Sequence, residues 1–205
     1  MDFSYNFSDL FYADNLNISF GIDNGESISV GQSIDLVSQE LTLNPVVKTN
    51  VVEHDGQKIG YIFYAQYIAD FNEALDTALQ SMIDKQVTNL VIDLRYNPGG
   101  GINAATHMCS SIAPLATVNN ENRLVTMRWN QSLQSYWVDN QIMSQIEVNF
   151  DKTVPVKAGF DRVHFLIGPG TASASELTIT GLSPYMDVVT VGDTTHGKYT
   201  ASITI

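Results

Sequence analysis

Two short apolar runs, separated by a helical repeat, constrain the fold most. Residues 58–65 (KIGYIFYA) and 89–94 (NLVIDL) have the length and apolar content of buried strands. Between them, apolar side chains recur at helical spacing from Phe71 to Ile83, which places them on one face of a helix. The sequence therefore predicts a β-α-β unit with two parallel strands and a right-handed crossover, and hence an α/β fold.

Strands and helices continue to alternate after this unit. The predicted elements are a helix over about 102–113, a strand at 162–168, a helix over about 172–183, a strand at 187–192 and a final extended piece at 199–205. The segment 114–160 has poor periodicity, which predicts a long irregular excursion with one strand near 123–129.

Residues 1–45 form a separate, smaller region. Apolar residues alternate over 16–22 and resume at 28–30, with Asp23-Asn24-Gly25 as a turn between them. This pattern predicts a β-hairpin. Because a hairpin and one short preceding helix cannot build a core, the region is expected to be the remnant of a small domain or an element docked on residues 46–205.

Composition excludes several classes of protein. Ten Lys and Arg against 22 Asp and Glu give a formal net charge of −12, whereas a nucleic-acid binder needs a basic surplus. No stretch reaches the roughly 18–20 apolar residues of a membrane helix, and the first thirty residues lack a secretory signal. The single Cys109 excludes an internal disulfide and is predicted to be a buried, inert thiol.

A serine at the start of a helix is the first candidate for chemistry. The strand at 162–168 ends in Gly-Pro-Gly, and Thr171-Ala172-Ser173 opens the next helix. A hydroxyl in this position lies beside unpaired backbone amides and the positive end of the helix dipole, which suits an oxyanion. Ser and Thr also cap helices very often, so capping by Thr171 or Ser173 is the competing interpretation.

Two other segments are expected at the same edge of the sheet. The turn Asn97-Pro98-Gly99-Gly100-Gly101 follows strand 89–94 and offers bare amides where α/β proteins bind ligands. Lys198 is expected on a strand beside Ser173, although an exposed lysine is the commoner case. A lysine base must lose its proton near pH 7 despite an ordinary pKa of about 10.4, so burial among residues such as Val188 and Val191 is required.

Three segments resemble those of the C-terminal processing peptidases, also called tail-specific proteases. They are LVIDLRYNPGGG (90–101), GPGTASASEL (168–177) and VGDTTHGK (191–198), in the family's order and spacing. The resemblance covers about 50–205 and implies a core of the ClpP/crotonase-like type. It makes residues 46–205 a serine peptidase catalytic core that is truncated at its C-terminus, and residues 1–45 the C-terminal remnant of a PDZ-like domain.

Carried over residue by residue, the resemblance makes Ser173 the nucleophile and Lys198 its general base. The oxyanion would be held by the amide of Ala174 and by one from Gly99 or Gly100. The family uses no metal, and no cofactor is expected. The implied substrate is an extended polypeptide laid along a strand edge, and the implied location is the periplasm or cell envelope.

Other polar residues near these motifs are expected to have supporting roles. Asp93 and Arg95 are expected to fix the loop by pairing, and Glu176 to complement the helix dipole. His196 either lines the cleft or simply lies in a turn. The remaining histidines, His54, His107 and His164, lack the spacing of metal ligands.

One position departs from the family pattern and keeps other interpretations open. Many members have a glutamine four residues after the lysine that orients it, whereas this chain has the shorter Ser202. The departure favours a second interpretation, a weak or inactive module of the same fold that binds peptides or an apolar small molecule. A third, an oligomerisation domain, rests only on the aromatic residues of 129–150.

Overall fold

The structure is a computed structural model that describes residues 12–198, 200 and 201. The chain divides into two compact units, residues 1–43 and residues 44–205. The helix expected before the hairpin, Ser202 and most of the extended piece expected at 199–205 lie outside the described residues.

The first unit contains the predicted hairpin. Strand β1 (Asn15–Asp23) pairs antiparallel with β2 (Ile28–Val37), and the Asp23 carboxylate accepts a 2.8 Å hydrogen bond from the Gly25 amide in the turn. β2 runs farther than its apolar alternation suggested, to Val37, and a bulge between Ser19 and Gly21 shifts the register. The apolar side chains of the hairpin are largely exposed. The origin of the hairpin in a PDZ-like domain stays a prediction.

The second unit has a mixed α/β fold built on a five-stranded sheet. Its strands are β3 (Val46–His54), β4 (Gln57–Tyr64), β5 (Asn89–Asp93), β8 (Arg162–Ile167) and β9 (Asp187–Gly192). They lie in the order β3-β4-β5-β8-β9, with β3 antiparallel to β4 and the other four parallel. Strands β6 (Arg123–Thr126) and β7 (Glu147–Asn149) form a separate antiparallel pair.

Helices pack on the sheet around one apolar core. The helices are α1 (Asn72–Asp84), α2 (Ile102–Ile112), α3 (Leu115–Asn119), α4 (Gln131–Asp139) and α5 (Ala174–Leu182). α2 packs against both α1 and α5, and their apolar sides join alternate strand residues such as Ile92 and Phe165. Cys109 is fully buried there, and burial raises the pKa of its thiol to about 12, as expected for an inert cysteine. Among the described residues, no helix is long and apolar enough to cross a bilayer.

Two parts of the sequence are more ordered than their patterns predicted. The excursion at 114–160 holds α3, α4 and the β6–β7 pair, of which only the strand near 123–129 was predicted. β3 was not predicted either, because most of its side chains are exposed and an edge strand of this kind lacks apolar alternation. It joins β4 through Asp55 and Gly56, whose positive φ angles of 49° and 74° suit a tight hairpin turn.

The carboxyl ends of β5 and β8 meet at one edge of the sheet. The Leu94 amide donates to the Leu166 carbonyl at 2.9 Å, and the Thr171 hydroxyl donates to the Leu94 carbonyl at 2.7 Å. Thr171 therefore ties the start of the β8–α5 turn to the end of β5 rather than capping the helix. This edge holds the candidate site.

Candidate active site

Ser173 occupies a strained position at the start of α5. It is the N-cap residue of the helix, with φ 57° and ψ −114°. A positive φ at a residue other than glycine costs on the order of 1–3 kcal/mol, whereas an ordinary capping serine adopts relaxed extended angles. Strained strand-to-helix turns are characteristic of nucleophilic serines because they expose the hydroxyl. The backbone therefore favours a chemical role for Ser173 over capping alone.

The glycine turn at 97–101 lies directly against the Ser173 turn. A Cβ atom on Gly99 would lie 2.7 Å from the Cβ of Ser173 and 2.9 Å from the amide nitrogen of Ala174. Gly99 also has φ 105°, which a residue with a side chain adopts only under strain. Only glycine allows the two turns to approach this closely.

Within the glycine turn, the amides differ in their hydrogen bonds to the described residues. The Gly99 amide donates to Oδ1 of Asn97 at 2.9 Å, and the Gly101 amide donates to the carbonyl of Tyr67 at 2.9 Å. The Gly100 amide has no hydrogen-bond partner in the part of the chain that the structure describes. Of the two glycines that the sequence left open as oxyanion donors, Gly100 thus has the available N–H and Gly99 does not.

The amides of the turn that holds Ser173 differ in the same way. The Ser173 amide donates to the Glu176 carboxylate at 2.8 Å, and the Ser175 amide donates to the Ala172 carbonyl at 3.1 Å. Between them, the Ala174 amide makes no hydrogen bond to any described residue. It is the first amide of α5, at the positive end of the helix dipole.

A cleft of about 1090 Å³ brings these groups together. Ser173, Ala174, Gly100 and Lys198 line it, whereas Gly99 and His196 do not. Its walls are largely apolar and include Leu124, Val125, Ile167, Leu177 and Ile179. Apolar walls with a few converging polar groups are typical of ligand sites.

Lys198 lines this cleft, but its position in the fold differs from the predicted one. It lies in an irregular segment after β9 rather than on a neighbouring strand, and its side chain is exposed. Val188 is only partly buried and Val191 is 50% exposed, so these strand residues do not enclose the amine. Both the strand position and the burial predicted for Lys198 are wrong, because the chain leaves the sheet at Gly192, where φ is 132°.

Glu176 joins the Lys198 segment to Ser173. Its Oε2 atom accepts hydrogen bonds from the amides of Ser173 at 2.8 Å and Lys198 at 2.9 Å, and Oε1 accepts one from Gly197 at 2.6 Å. Burial alone would raise the pKa of Glu176, but hydrogen bonds from the Thr195 side chain and these three amides outweigh it and lower the pKa. Glu176 therefore does more than complement the helix dipole, because it links two segments of the site.

We expect Glu176→Gln to destabilise the chain by about 2 kcal/mol at pH 7, because an amide offers one acceptor oxygen to three N–H donors. The lowered pKa means that the contribution of Glu176 is fully present above about pH 4.3, the ordinary glutamate value, and is lost as the pH falls through the folded value. Thermal unfolding across pH measures this, and the two proteins should converge in acid. The control Glu121→Gln removes an exposed pair with Lys152 and should cost little. Equal losses in both variants would contradict the role of Glu176.

Asp93 and Arg95 fix the loop, as predicted. Arg95 donates to the two Asp93 carboxylate oxygens at 2.9 and 2.7 Å, and the Tyr61 hydroxyl donates to the same carboxylate at 2.7 Å. Burial alone would raise the pKa of Asp93, but the hydrogen bonds from Arg95 and Tyr61 outweigh it and lower the pKa. The pair therefore stabilises the end of β5 next to the glycine turn.

The structure describes His196 but not Ser202. The His196 side chain is exposed, and its backbone amide donates to the Thr171 carbonyl at 2.9 Å, as expected for a residue in a turn. Ser202 lies outside the described residues. Within the described residues, no group of three or more His, Cys, Asp or Glu side chains is arranged to hold a metal ion.

Asn97 had no predicted role beyond its place in the glycine turn. This residue is fully buried and accepts the Gly99 amide in an Asx turn. An asparagine two residues before a glycine is a recognisable signal for such a turn. The signal is present in the amino-acid sequence, but its connection to the site depends on tertiary contacts.

The fold is one that solved proteases share. A crystal structure of a protein from Bacteroides fragilis classed among the S41 proteases matches with a TM-score of 0.67 and 24% identity, covering 91% of this chain and 49% of that one. The photosystem II D1 C-terminal processing protease matches with a TM-score of 0.57 and 22% identity, covering 82% of this chain and 41% of that one. At these identities the similarity establishes the mixed α/β protease fold.

Family membership follows from the sequence match. The sequence model of peptidase family S41 matches residues 58–205. The chain therefore belongs to that family, and its resemblance to the C-terminal processing peptidases is confirmed. Carboxyl-terminal-processing proteases of Synechocystis sp. and Picosynechococcus sp. are 26% and 27% identical to it. Each match covers 82% of this chain but 35% of the relative, so the chain spans about a third of their length.

Proposed function

We propose that this chain is the catalytic core of a serine endopeptidase that cleaves extended polypeptides. The observation that carries the proposal is the strained backbone of Ser173, which lies in one cleft with the amides of Gly100 and Ala174, to which no described residue bonds. Membership of peptidase family S41 and relatives named carboxyl-terminal-processing proteases support it. The exposed tail of another polypeptide is the corresponding substrate.

The reaction is acyl transfer through Ser173. Its Oγ attacks the scissile carbonyl carbon while its proton passes to the neutral amine of Lys198. The negative charge that develops on the carbonyl oxygen is held by the amides of Gly100 and Ala174. The C–N bond then breaks, the leaving amine takes the proton from Lys198, and water hydrolyses the acyl-enzyme.

Lys198 lines the cleft, and its side chain is exposed there. A polypeptide laid along the cleft would cover this side chain and exclude water from its amine.

Two further features belong to this proposal. An envelope or periplasmic location follows from the resemblance to the C-terminal processing peptidases. The hairpin of residues 1–45 is proposed as the end of a PDZ-like domain that would deliver polypeptide tails.

A fluorophosphonate probe tests the proposal. We expect it to modify Ser173, as located by peptide mass mapping, and to fail on Ser173→Ala. Ser183→Ala is the matched control, because Ser183 follows the last residue of α5 and does not line the cleft. Its hydroxyl bonds only the Ile179 carbonyl among the described residues. Absence of labelling in the unmodified chain, or labelling that survives Ser173→Ala, would contradict the proposal and favour a binding module.

A further inference from the structure

We infer that Asn97 is a positioning residue that sets the oxyanion hole and holds it against the nucleophile turn; the inference rests on the proposed function. Asn97 follows β5 at the start of the glycine turn and is fully buried. It contacts both halves of the site, and Ser175 is its partner on the nucleophile side.

The Asn97 side chain determines which glycine amide is free. Its Oδ1 accepts the Gly99 amide at 2.9 Å, and its Nδ2 donates to the Tyr64 carbonyl at 2.9 Å, at the end of β4. Both the oxygen and the nitrogen of the Asn97 side-chain amide are therefore bonded to other groups of the protein. The Gly99 amide is removed from the cleft, and the next amide, that of Gly100, becomes the donor.

The direction of the Gly100 N–H follows from the same peptide unit. The Gly99 carbonyl accepts a hydrogen bond from the Tyr67 amide at 2.9 Å. In a trans peptide the C=O and N–H groups point in opposite directions, so the Gly100 N–H points away from Tyr67. A Cβ on Gly100 would lie 2.2 Å from the Tyr67 carbonyl oxygen, which shows how closely Tyr67 confines this unit.

The Asn97 backbone holds the other half of the site. Its carbonyl accepts a hydrogen bond from the Ala172 amide at 3.1 Å and another from the Ser175 hydroxyl at 3.0 Å. Ala172 and Ser175 flank Ser173 and Ala174, and Ser175 is fully buried. One residue thus fixes the separation between the donor at Gly100 and the donor at Ala174.

Oxyanion donors act only when they lie at hydrogen-bond distance from the developing charge, and loss of one donor lowers kcat by about 10²–10³-fold. We therefore expect Asn97→Ala to lower kcat by about 100-fold with KM changed less than about threefold, because the interaction operates in the transition state. Asn97→Ser should recover about tenfold of this loss, because a serine hydroxyl can accept the Gly99 amide in a similar turn. A fluorescence-quenched peptide provides the assay.

Amide hydrogen exchange tests the geometry without any assay of activity. In the unmodified chain the Gly99 amide should exchange slowly and the Gly100 amide quickly, and in Asn97→Ala both should exchange quickly. Fast exchange of Gly99 in the unmodified chain would overturn the inference, whether or not the chain hydrolyses peptides.

Ser175→Ala tests the inference while the Asn97 side chain stays in place. It should lower kcat by about tenfold, because it loosens the nucleophile turn without removing a donor. Ser110→Ala is the matched control, since Ser110 is equally buried and its hydroxyl bonds the Thr106 carbonyl and the Asp151 amide within the second unit. Both variants should lose similar thermal stability, but only Ser175→Ala should lose kcat.

The outcomes separate the two proposals. A labelled, active chain whose Asn97→Ala and Ser175→Ala variants keep the parental kcat would overturn this inference alone. An equal loss of kcat in Ser110→Ala would also overturn it, because a general structural effect would then explain the result. A chain that is neither labelled at Ser173 nor active contradicts the proposed function, and the catalytic role of Asn97 with it.

Discussion

Replacing Lys198 with Met is expected to lower kcat by about 10⁴-fold or more, because a nucleophile and its base act as a unit. Methionine is an unbranched side chain one atom shorter than lysine, and it cannot accept the Ser173 proton. Lys198 lines the same cleft as Ser173, and its amide shares the Glu176 carboxylate with the Ser173 amide. Steady-state hydrolysis of a fluorescence-quenched peptide measures the loss.

Two comparisons make the Lys198 result specific. Lys152→Met removes another exposed lysine, which pairs with Glu121 at 2.8 Å, and should leave kcat unchanged. The double variant Ser173→Ala/Lys198→Met should be no slower than either single variant, because the second change removes a group that already has no partner. Independent, multiplying losses would contradict the assignment of Lys198 as the base of Ser173.

Gly99→Ala is expected to lower kcat by about 10³-fold, because it forces the glycine turn away from the turn that holds Ser173. The added Cβ would lie 2.7 Å from the Cβ of Ser173 and 2.8 Å from the Ala172 carbonyl oxygen. The amides of Gly99 and Ala172 both donate to Asn97, so moving the two backbones apart breaks these hydrogen bonds. The φ of 105° adds strain of its own. Hydrolysis and fluorophosphonate labelling should fall together.

Gly56→Ala controls for the cost of a positive φ. Gly56 has φ 74° in the β3–β4 turn, and a Cβ there would have nothing within 4 Å. This variant should lose about 1 kcal/mol of stability and keep its kcat. If Gly99→Ala retained kcat within about tenfold of Gly56→Ala, close contact of the two turns would not be needed for function.

Local pattern was sufficient to predict the central elements. The continuous apolar run at 89–94 and the helical repeat at 71–83 appear in the structure as β5 and α1, within one or two residues. The spacing of apolar residues indicates which faces of an element are buried, and this spacing can be seen in residues that are close together in the sequence. β3 and α4 escaped prediction because neither buries a regular apolar face, and α4 has no buried residue at all.

The family resemblance named the residues of the proposed site but not their arrangement. It named Ser173, Ala174, the glycine turn and Lys198 without any coordinates. It did not predict the exposure of Lys198, since burial depends on where the chain travels after β9. It also left the choice between Gly99 and Gly100 open, because that choice depends on a hydrogen bond to the Asn97 side chain.

By itself the sequence determined the α/β order of elements, the acidic character that argues against a nucleic-acid partner, and the family signature on three separated segments. Only the tertiary structure decided which amides are free, how Glu176 links Ser173 to Lys198, and that Asn97 lies between the two turns. The physical reason is the separation along the chain of the residues that carry each kind of information. Periodicity is set by residues a few positions apart, whereas the Ser175–Asn97 bond joins positions 78 residues apart and exists only once the sheet has formed.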